Sequence, residues 1–437
     1  MEGAGLFLKA HDLKKKILFT LFALFICRLG SYVTIPGINS VALNTMAEAN
    51  AKGILGMFNV LSGGSLSRMS VFALSIVPYI TSSIVMSLIT VTIKPLEEMK
   101  KEGEAGRRKI NRYTRYLTVL LCGFQAYGVA TGLEHAGSGD AKIVTMSSFA
   151  LFRLVTVVSL VVGTMFLMWL AEQISMRGIG NGTSLIIFVG IVSGLPTTFV
   201  SLFELAKTGV MSPITLMVVL AAVFGLIYLI VFVERAQRQI TIQYPRRQVG
   251  NKIFDGQNTH LPLKINTAGV IPPIFANSIL LFPLTITSFI SVGGEDSIWN
   301  SILIHLGRGK PLYLLLYVSF IVFFSFFYTS IVFNVKETSD MLKKNGGFIP
   351  GIRPGDHTAT YLDKVLSKLT AIGAAYMSFV CVLPEYVSYK YAVPFYLGGT
   401  SFLIVVSVVM DTFVQIQTML FTHQYESLMR KARFRKF

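Results

Sequence analysis

The sequence predicts an all-α polytopic membrane protein that crosses the bilayer ten times. Three observations predict it. The first is composition: of 437 residues, 53% are hydrophobic and only 14% are charged, against about 25% charged in a soluble protein. The second is run length. "ILFTLFALFICRLGSYVTIP" (17–36), "LVTVVSLVVGTMFLMWL" (154–170) and "ITLMVVLAAVFGLIYLIVFV" (214–233) lie near or at the ~20 residues that a spanning helix needs. The third is the placement of charge. Thirty of the 39 Lys and Arg fall in segments on one side of the expected spans, seven fall on the other, and Arg28 and Arg153 lie inside spans.

The spans are expected at 17–36, 71–93, 116–133, 149–170, 183–204, 213–233, 267–290, 311–333, 368–388 and 393–415. The basic side is cytoplasmic by the positive-inside rule. Ten spans then put both termini inside. The net charge of +17 is mostly this topological bias, and nucleic-acid binding is the weaker reading of it. No short apolar core with a small-residue cleavage site stands alone at the N-terminus, so no removable signal peptide is expected.

Ahead of span two the chain reads "MFNVLSGGSLSRMSVFALSIVPYITSS" (57–83). Its second half is apolar enough for lipid, while its first half carries Asn59, Ser62, Gly63, Gly64, Ser65, Ser67 and Arg68. A continuous helix from Met57 to Ile93 would be roughly 55 Å long, far beyond a ~30 Å hydrocarbon core. The chain must fold back or leave the membrane, and Gly63-Gly64 is where it can bend. On composition alone an ordinary external loop fits equally well.

Spans one and four contain Arg28 and Arg153. Helix-end snorkelling or an inter-helix ion pair explains either as readily as a functional role. After span four, "RGIGNG" (177–182) lacks the Lys-Ser/Thr of a phosphate loop and reads as a cytoplasmic turn. Asn181-Gly182-Thr183 matches a glycosylation sequon but lies on the cytoplasmic side. Cys27, Cys122 and Cys381 sit in apolar runs without metal spacing or a disulfide pattern. The six histidines, His135 and His423 among them, show no ligand spacing. Most acids lie at span ends (Glu172, Glu204, Glu234), with Asp411 nearer the inner end of span ten. That scarcity of midplane carboxylates argues against ion coupling.

Five spans plus five give two halves of opposite orientation, 1–205 and 206–437. The second span of each half carries a matching interruption, "SIVPYIT" (75–81) and "GVIPPIF" (269–275), which aligns Pro78 with Pro272, Val77 with Ile271 and Ile80 with Ile274. Interrupted helices at matching positions of inverted halves point to a central pathway. Coincidence remains the alternative on this match alone, since membrane helices tolerate proline. Three cytoplasmic segments, 94–116, 234–264 and 336–364, are too short for an enzyme domain and long enough to present a docking surface. No catalytic constellation appears, and neither an enzyme activity nor a cofactor is expected.

Several stretches together resemble the SecY family of bacterial protein-translocation channels: "MFNVLSGGSLSRMSVFAL", "KKEGEAGRRKINRYTRY", "GTMFLMWLAEQISMRGIGNGTS", "NTHLPLK", "FFYTSIVFN", "GGFIPGIRPG", "VPFYLGGTSFLIVV" and "QYESLMRKA". The pattern looks most like the Gram-negative members. The resemblance implies two five-helix halves hinged like a clamshell around an hourglass pore. It implies an external plug at 57–68 that includes Met57, Phe58, Asn59, Ser62, Gly63, Gly64, Ser65 and Arg68. The family's pore ring falls on Ile76, Ile80, Thr183, Ile187, Ile274 and Ile404, where Thr183 departs from the usual aliphatic choice. Its lateral gate lies between spans two and seven, past span three, with Ser83, Gln125 and Asn277 in the polar cluster.

The resemblance further implies docking loops at 234–266 and 334–367, with Arg246, Arg247, Lys252, Lys343, Lys344 and Arg353, and a basic tail at 424–437. Implied partners are the SecE and SecG subunits, the SecA motor, the ribosome and unfolded precursors with signal sequences. The implied location is the bacterial inner membrane. Two other readings stay open on the residues themselves: a small-solute secondary transporter, which would need a midplane polar site, and a membrane scaffold, which would need neither plug nor ring.

Overall fold

The computed structural model describes residues 11–39, 43, 62–136, 144–145, 148–209, 212–245, 247–249, 252–254, 258–290, 310–391 and 398–434. In chain order its helices are α1 (His11–Gly30), α2 (Val77–Thr92), α3 (Lys94–Lys101), α4 (Glu104–Ala136), α5 (Phe149–Arg177), α6 (Gly182–Lys207) and α7 (Pro213–Arg235). They continue with α8 (Ile271–Ile290), α9 (Pro311–Val332), α10 (Val335–Lys344), α11 (Asp356–Tyr391) and α12 (Gly399–Phe434).

Every expected span coincides with one of these helices, α3 and α10 being short additions between spans. Among the described residues seven helices are long and apolar enough to cross a membrane, and an eighth is the pair α2–α3 taken together. That pair bends by 100° at Ile93, where the apolar run gives way to "KPLEEMKK". Span two is shorter than expected. Residues 62–76 form turns rather than helix, and α2 begins at Val77 with Pro78 in its first turn, where proline's missing N–H costs nothing.

The helices present apolar side chains outward as well as inward. On α1, Leu18, Leu21, Phe22, Phe25 and Leu29 are exposed while Ala23 and Cys27 are buried. This i, i+3, i+4, i+7 stripe suits lipid as its solvent. Neighbouring helices close the interior with polar clasps. α4 and α5 pack as an antiparallel hairpin braced at both ends. Arg115 donates to both carboxylate oxygens of Glu172 at 2.8 and 2.7 Å, and Arg153 donates to Glu134 at 2.6 to 3.0 Å. The two clasps are separated by a helix rise of roughly 28 Å, close to the hydrocarbon thickness. Arg153 is therefore an inter-helix ion-pair partner, one of the readings left open above.

The expectation of an all-helical chain is incomplete in the segment between α7 and α8. β1 (Gln237–Gln243) pairs antiparallel with β4 (Asn258–Lys264), from Gln237↔Lys264 to Gln243↔Asn258. At the tip β2 (Arg247–Val249) pairs with β3 (Lys252–Phe254). "QRQITIQ" alternates, so Ile240 and Ile242 point inward. In water a ribbon edge can be solvated, which lipid forbids. The ribbon does not stand alone: Gln243 and Phe348 exchange backbone hydrogen bonds of 2.9 and 3.0 Å. Ile240, Leu263, Ile349, Leu362 and Leu369 then share one buried cluster. The loops 234–266 and 334–367 thus form a single platform with its own core.

Candidate pore constriction, plug and gate

The isoleucines assigned to a ring all belong to, or pack against, one large apolar cluster. Ile76, Ile187 and Ile404 are buried in one apolar cluster, and Ile80 and Ile274 pack against it. They arrive from the turn before α2, from α2 itself, and from α6, α8 and α12. Ile76 and Ile80 are one turn apart, with the Ile80 N–H donating to the Ile76 carbonyl at 3.0 Å, so they share a face. Thr183 stands one turn before Ile187 at the start of α6. Its backbone N–H and its hydroxyl both donate to the Asn181 carboxamide oxygen, at 3.2 and 2.7 Å. The residue that departs from the aliphatic pattern therefore has its hydroxyl occupied by the helix cap. Ile191, fully buried one turn beyond Ile187 in the same cluster, was not singled out in the sequence; its i+4 spacing was the available signal.

The glycine-broken segment packs Leu66 and Met69 into a second cluster with Ile35, Ala73 and Leu160, and Gly63 lies against Gly190 and Ser193 of α6. Gly63 and Gly64 have φ of +65° and +82°, the left-handed region that glycine enters without steric cost. The bend is therefore where the sequence places it. Met69 and Ser75 also have positive φ, 45° and 52°, an uncommon state for residues with a side chain. The segment is tied to the exit of α1 by backbone bonds from the Ile35 N–H to the Met69 carbonyl and from the Val71 N–H to the Val33 carbonyl. Ser62, Ser65, Met69 and Ser70 are buried. Met57, Phe58 and Asn59 lie outside the described residues.

Arg28 explains part of this docking. It donates to the Gly63 carbonyl at 2.8 Å and to the Tyr32 hydroxyl at 3.2 Å. The Tyr32 ring also lies near both guanidinium groups, at 5.0 Å from Arg28 and 4.4 Å from Arg68. Beside it is a cavity of about 20 Å³ with a mixed lining, Arg28, Ser31 and Ser65 on one part and Phe72, Leu167 and Ile186 on another, large enough for about one water molecule. Tyr32 was missed in the sequence. Its signal was the i+4 step from a charged residue within an apolar run.

The three gate candidates lie on helices in mutual contact: Ser83 on α2, Gln125 on α4 and Asn277 on α8. Ser83 and Gln125 are half-buried, and Asn277 is 4% exposed. No hydrogen bond links the three among the described residues, and the buried Asn277 carboxamide oxygen has no partner.

On the platform, Arg353 is exposed in the turn between Gly351 and Gly355. Its carbonyl accepts from the Thr358 hydroxyl at 2.8 Å. The Ser339 hydroxyl donates to the Gly355 carbonyl at 2.7 Å, which fixes the turn against α10. Lys343 and Lys344 end α10 and are exposed. Arg247 and Lys252 fall on the paired strands β2 and β3; Arg246 lies outside the described residues. Of the tail 424–437, the helical backbone is described to Phe434.

Comparison with known proteins identifies the family. The SecY family model matches residues 70–413. The protein translocase subunit SecY of Rickettsia typhi is 57% identical over 426 residues, covering 98% of each chain. The subunit of the same name from Escherichia coli is 51% identical over 427 residues, covering 98% of this chain and 96% of that one. Among solved structures, one described as the structure of a protein conducting channel superposes with a TM-score of 0.67 at 17% identity, covering 93% of this chain and 92% of that one. Sec61 in the canine ribosome-channel complex gives 0.64 at 17% identity over the same shares. The second pair shares the fold; the first pair and the family model carry the assignment, and the chain belongs to the SecY family.

Proposed function

We propose that the chain is the pore subunit of a protein-conducting channel. It passes unfolded secretory polypeptides across the inner membrane and releases membrane segments sideways between α2 and α8. One observation carries the reading: five isoleucines from separate elements meet in one apolar cluster, with the glycine-bent segment docked beside it. An extended chain cannot cross lipid unaided, because each unpaired backbone group costs several kcal/mol. A short constriction between water-filled funnels removes most of that thickness. Branched apolar side chains offer a passing chain no competing hydrogen bonds, and a narrow apolar ring excludes ions by dewetting.

In this reading residues 1–205 and 206–437 are the two inverted halves, both termini are cytoplasmic, and residues 57–68 plug the external side. Work is supplied by a partner on the platform, either the SecA motor or a ribosome. A SecE-like subunit holds the halves together, with SecG peripheral. The family name "protein translocase subunit" on the relatives and the ribosome-bound channel among the structural neighbours support these partners. The test is reconstitution of the purified complex in vesicles with SecA, ATP and a secretory precursor. Protease-protected precursor that depends on this chain supports the channel. Accumulation of a small solute with no precursor protected would support the transporter reading instead.

A further inference from the structure

We infer that Asn266 is a positioning residue that carries docking on the cytoplasmic platform into the first turn of the gate helix α8. The inference rests on the proposed roles of the platform and of α8. The ribbon β1–β4 is rigid up to its end, and its pairing continues one residue further, the Ile265 N–H donating to the Ala236 carbonyl at 3.1 Å. Asn266 comes next and α8 begins five residues later. The Asn266 amide nitrogen donates to the Glu234 carboxylate at 2.7 Å and to the Gly269 carbonyl at 3.2 Å. One buried side chain therefore joins the end of α7, the end of the ribbon and the residue that leads into α8.

The surroundings suit a lever. Gly269 has φ +64°, so the backbone reverses just before the helix. On the other flank α11 presses its backbone on the segment: a Cβ at Gly373 would lie 3.0 Å from the Ile265 carbonyl oxygen. That close approach gives a fulcrum. The lever end is loosely satisfied. The Asn266 carboxamide oxygen, the Thr267 hydroxyl and the Tyr376 hydroxyl are buried without partners. Buried polar groups without partners raise the free energy of the arrangement that holds them. Coupling through Asn266 requires a second arrangement of 266–269 that pairs them, since a two-state element is what transmits coupling. Simple pinning of the α7–α8 connection would also use Asn266, so the test must separate pinning from coupling.

The experiment uses the full channel complex in vesicles, with the native cysteines replaced by alanine and spin labels at Ser87→Cys on α2 and Ser278→Cys on α8. The distance between labels is measured before and after ribosome docking, alongside ribosome affinity. Docking is expected to shift the distance in the parent. Asn266→Ala and Glu234→Ala should each abolish the shift while affinity stays within about twofold. Glu234→Gln keeps an acceptor oxygen for Asn266 and should retain the shift. If one alanine variant fails to assemble, the other decides. A full shift in the alanine variants overturns the inference, as does an equal loss in Glu234→Gln. Loss of affinity in the alanine variants assigns the residues to the docking surface and also overturns it. No shift in the parent sinks the platform-and-gate reading itself, and this inference with it.

Discussion

Arg28 of α1 reaches 35 residues along the chain to donate to the carbonyl of Gly63 at 2.8 Å. That bond, with Tyr32 lying near both Arg28 and Arg68, latches the glycine-bent segment to the C-terminal end of α1. A hydrogen bond to a charged group is worth about 1.5–3 kcal/mol. Each 1.4 kcal/mol is a factor of ten in equilibrium, so Arg28→Ala should raise the undocked fraction of the plug by roughly tenfold or more. Crosslinking between cysteines placed at Ser65 and Val189, which line the same cavity, should fall accordingly in the variant, and vesicle ion leak should rise. Unchanged crosslinking would remove Arg28 from the latch.

The gate candidates differ from the expectation in one respect. They occupy contacting helices but share no hydrogen bond among the described residues, and Asn277 keeps a buried oxygen unpaired. Asn277→Leu removes that cost from the packed arrangement. It should therefore favour the closed gate and demand more hydrophobic signal sequences, with stability equal or higher. Insertion measured across signals of graded hydrophobicity checks this. An unmoved threshold in a stably assembled variant assigns Asn277 to packing alone.

Arg353 is exposed in a turn braced by Ser339 and Thr358, and it has no carboxylate partner among the described residues. A charge held out on a fixed turn suits a partner's acidic surface. Arg353→Glu should cut SecA-driven translocation by at least about tenfold, since like charges at an interface cost several kcal/mol. Membrane assembly and SecE-like partner retention should be intact. Normal translocation by that variant counts against the role.

The two clasps of the α4–α5 hairpin make a further comparison. Glu134 is 6% exposed in its side chain and Glu172 28%. Removing Arg153 strands a buried carboxylate, whereas removing Arg115 leaves Glu172 open to water. Arg153→Ala should therefore lower the thermal midpoint of the detergent-solubilised complex by about twice as much as Arg115→Ala or more. Equal losses would show that Glu134 finds another partner.

Long apolar runs made the helices at the expected spans legible, because each run is a local pattern. Seven of these helices, or eight with the bent pair, are long and apolar enough to cross a membrane among the described residues. Gly63-Gly64 was legible too, since a polar, glycine-containing piece joined to a span has to bend. The partners of Arg28, Arg153 and Asn266 were not. Each lies from 3 to 35 residues away, and nothing in a local pattern marks which carbonyl or carboxylate the fold will bring near. The ribbon was missed for a related reason. Ile240 and Ile242 alternate, but the cluster that buries Ile240 is completed by Ile349 and Leu362, more than a hundred residues on. The ring isoleucines were assigned through motif position, because an isoleucine in a membrane helix is uninformative alone.

The most direct test of the channel account is ion conductance of vesicles containing Ile80→Gly or Ile274→Gly, singly and together. Each substitution removes a branched side chain from the cluster formed with Ile76, Ile187 and Ile404, and water enters a constriction that has lost its apolar wall. The account predicts a clear rise in leak for each variant, a larger rise for the pair, and passage of precursors with weakened signals. Conductance indistinguishable from the parent in both single variants and in the pair would contradict the claim that these isoleucines seal the pore.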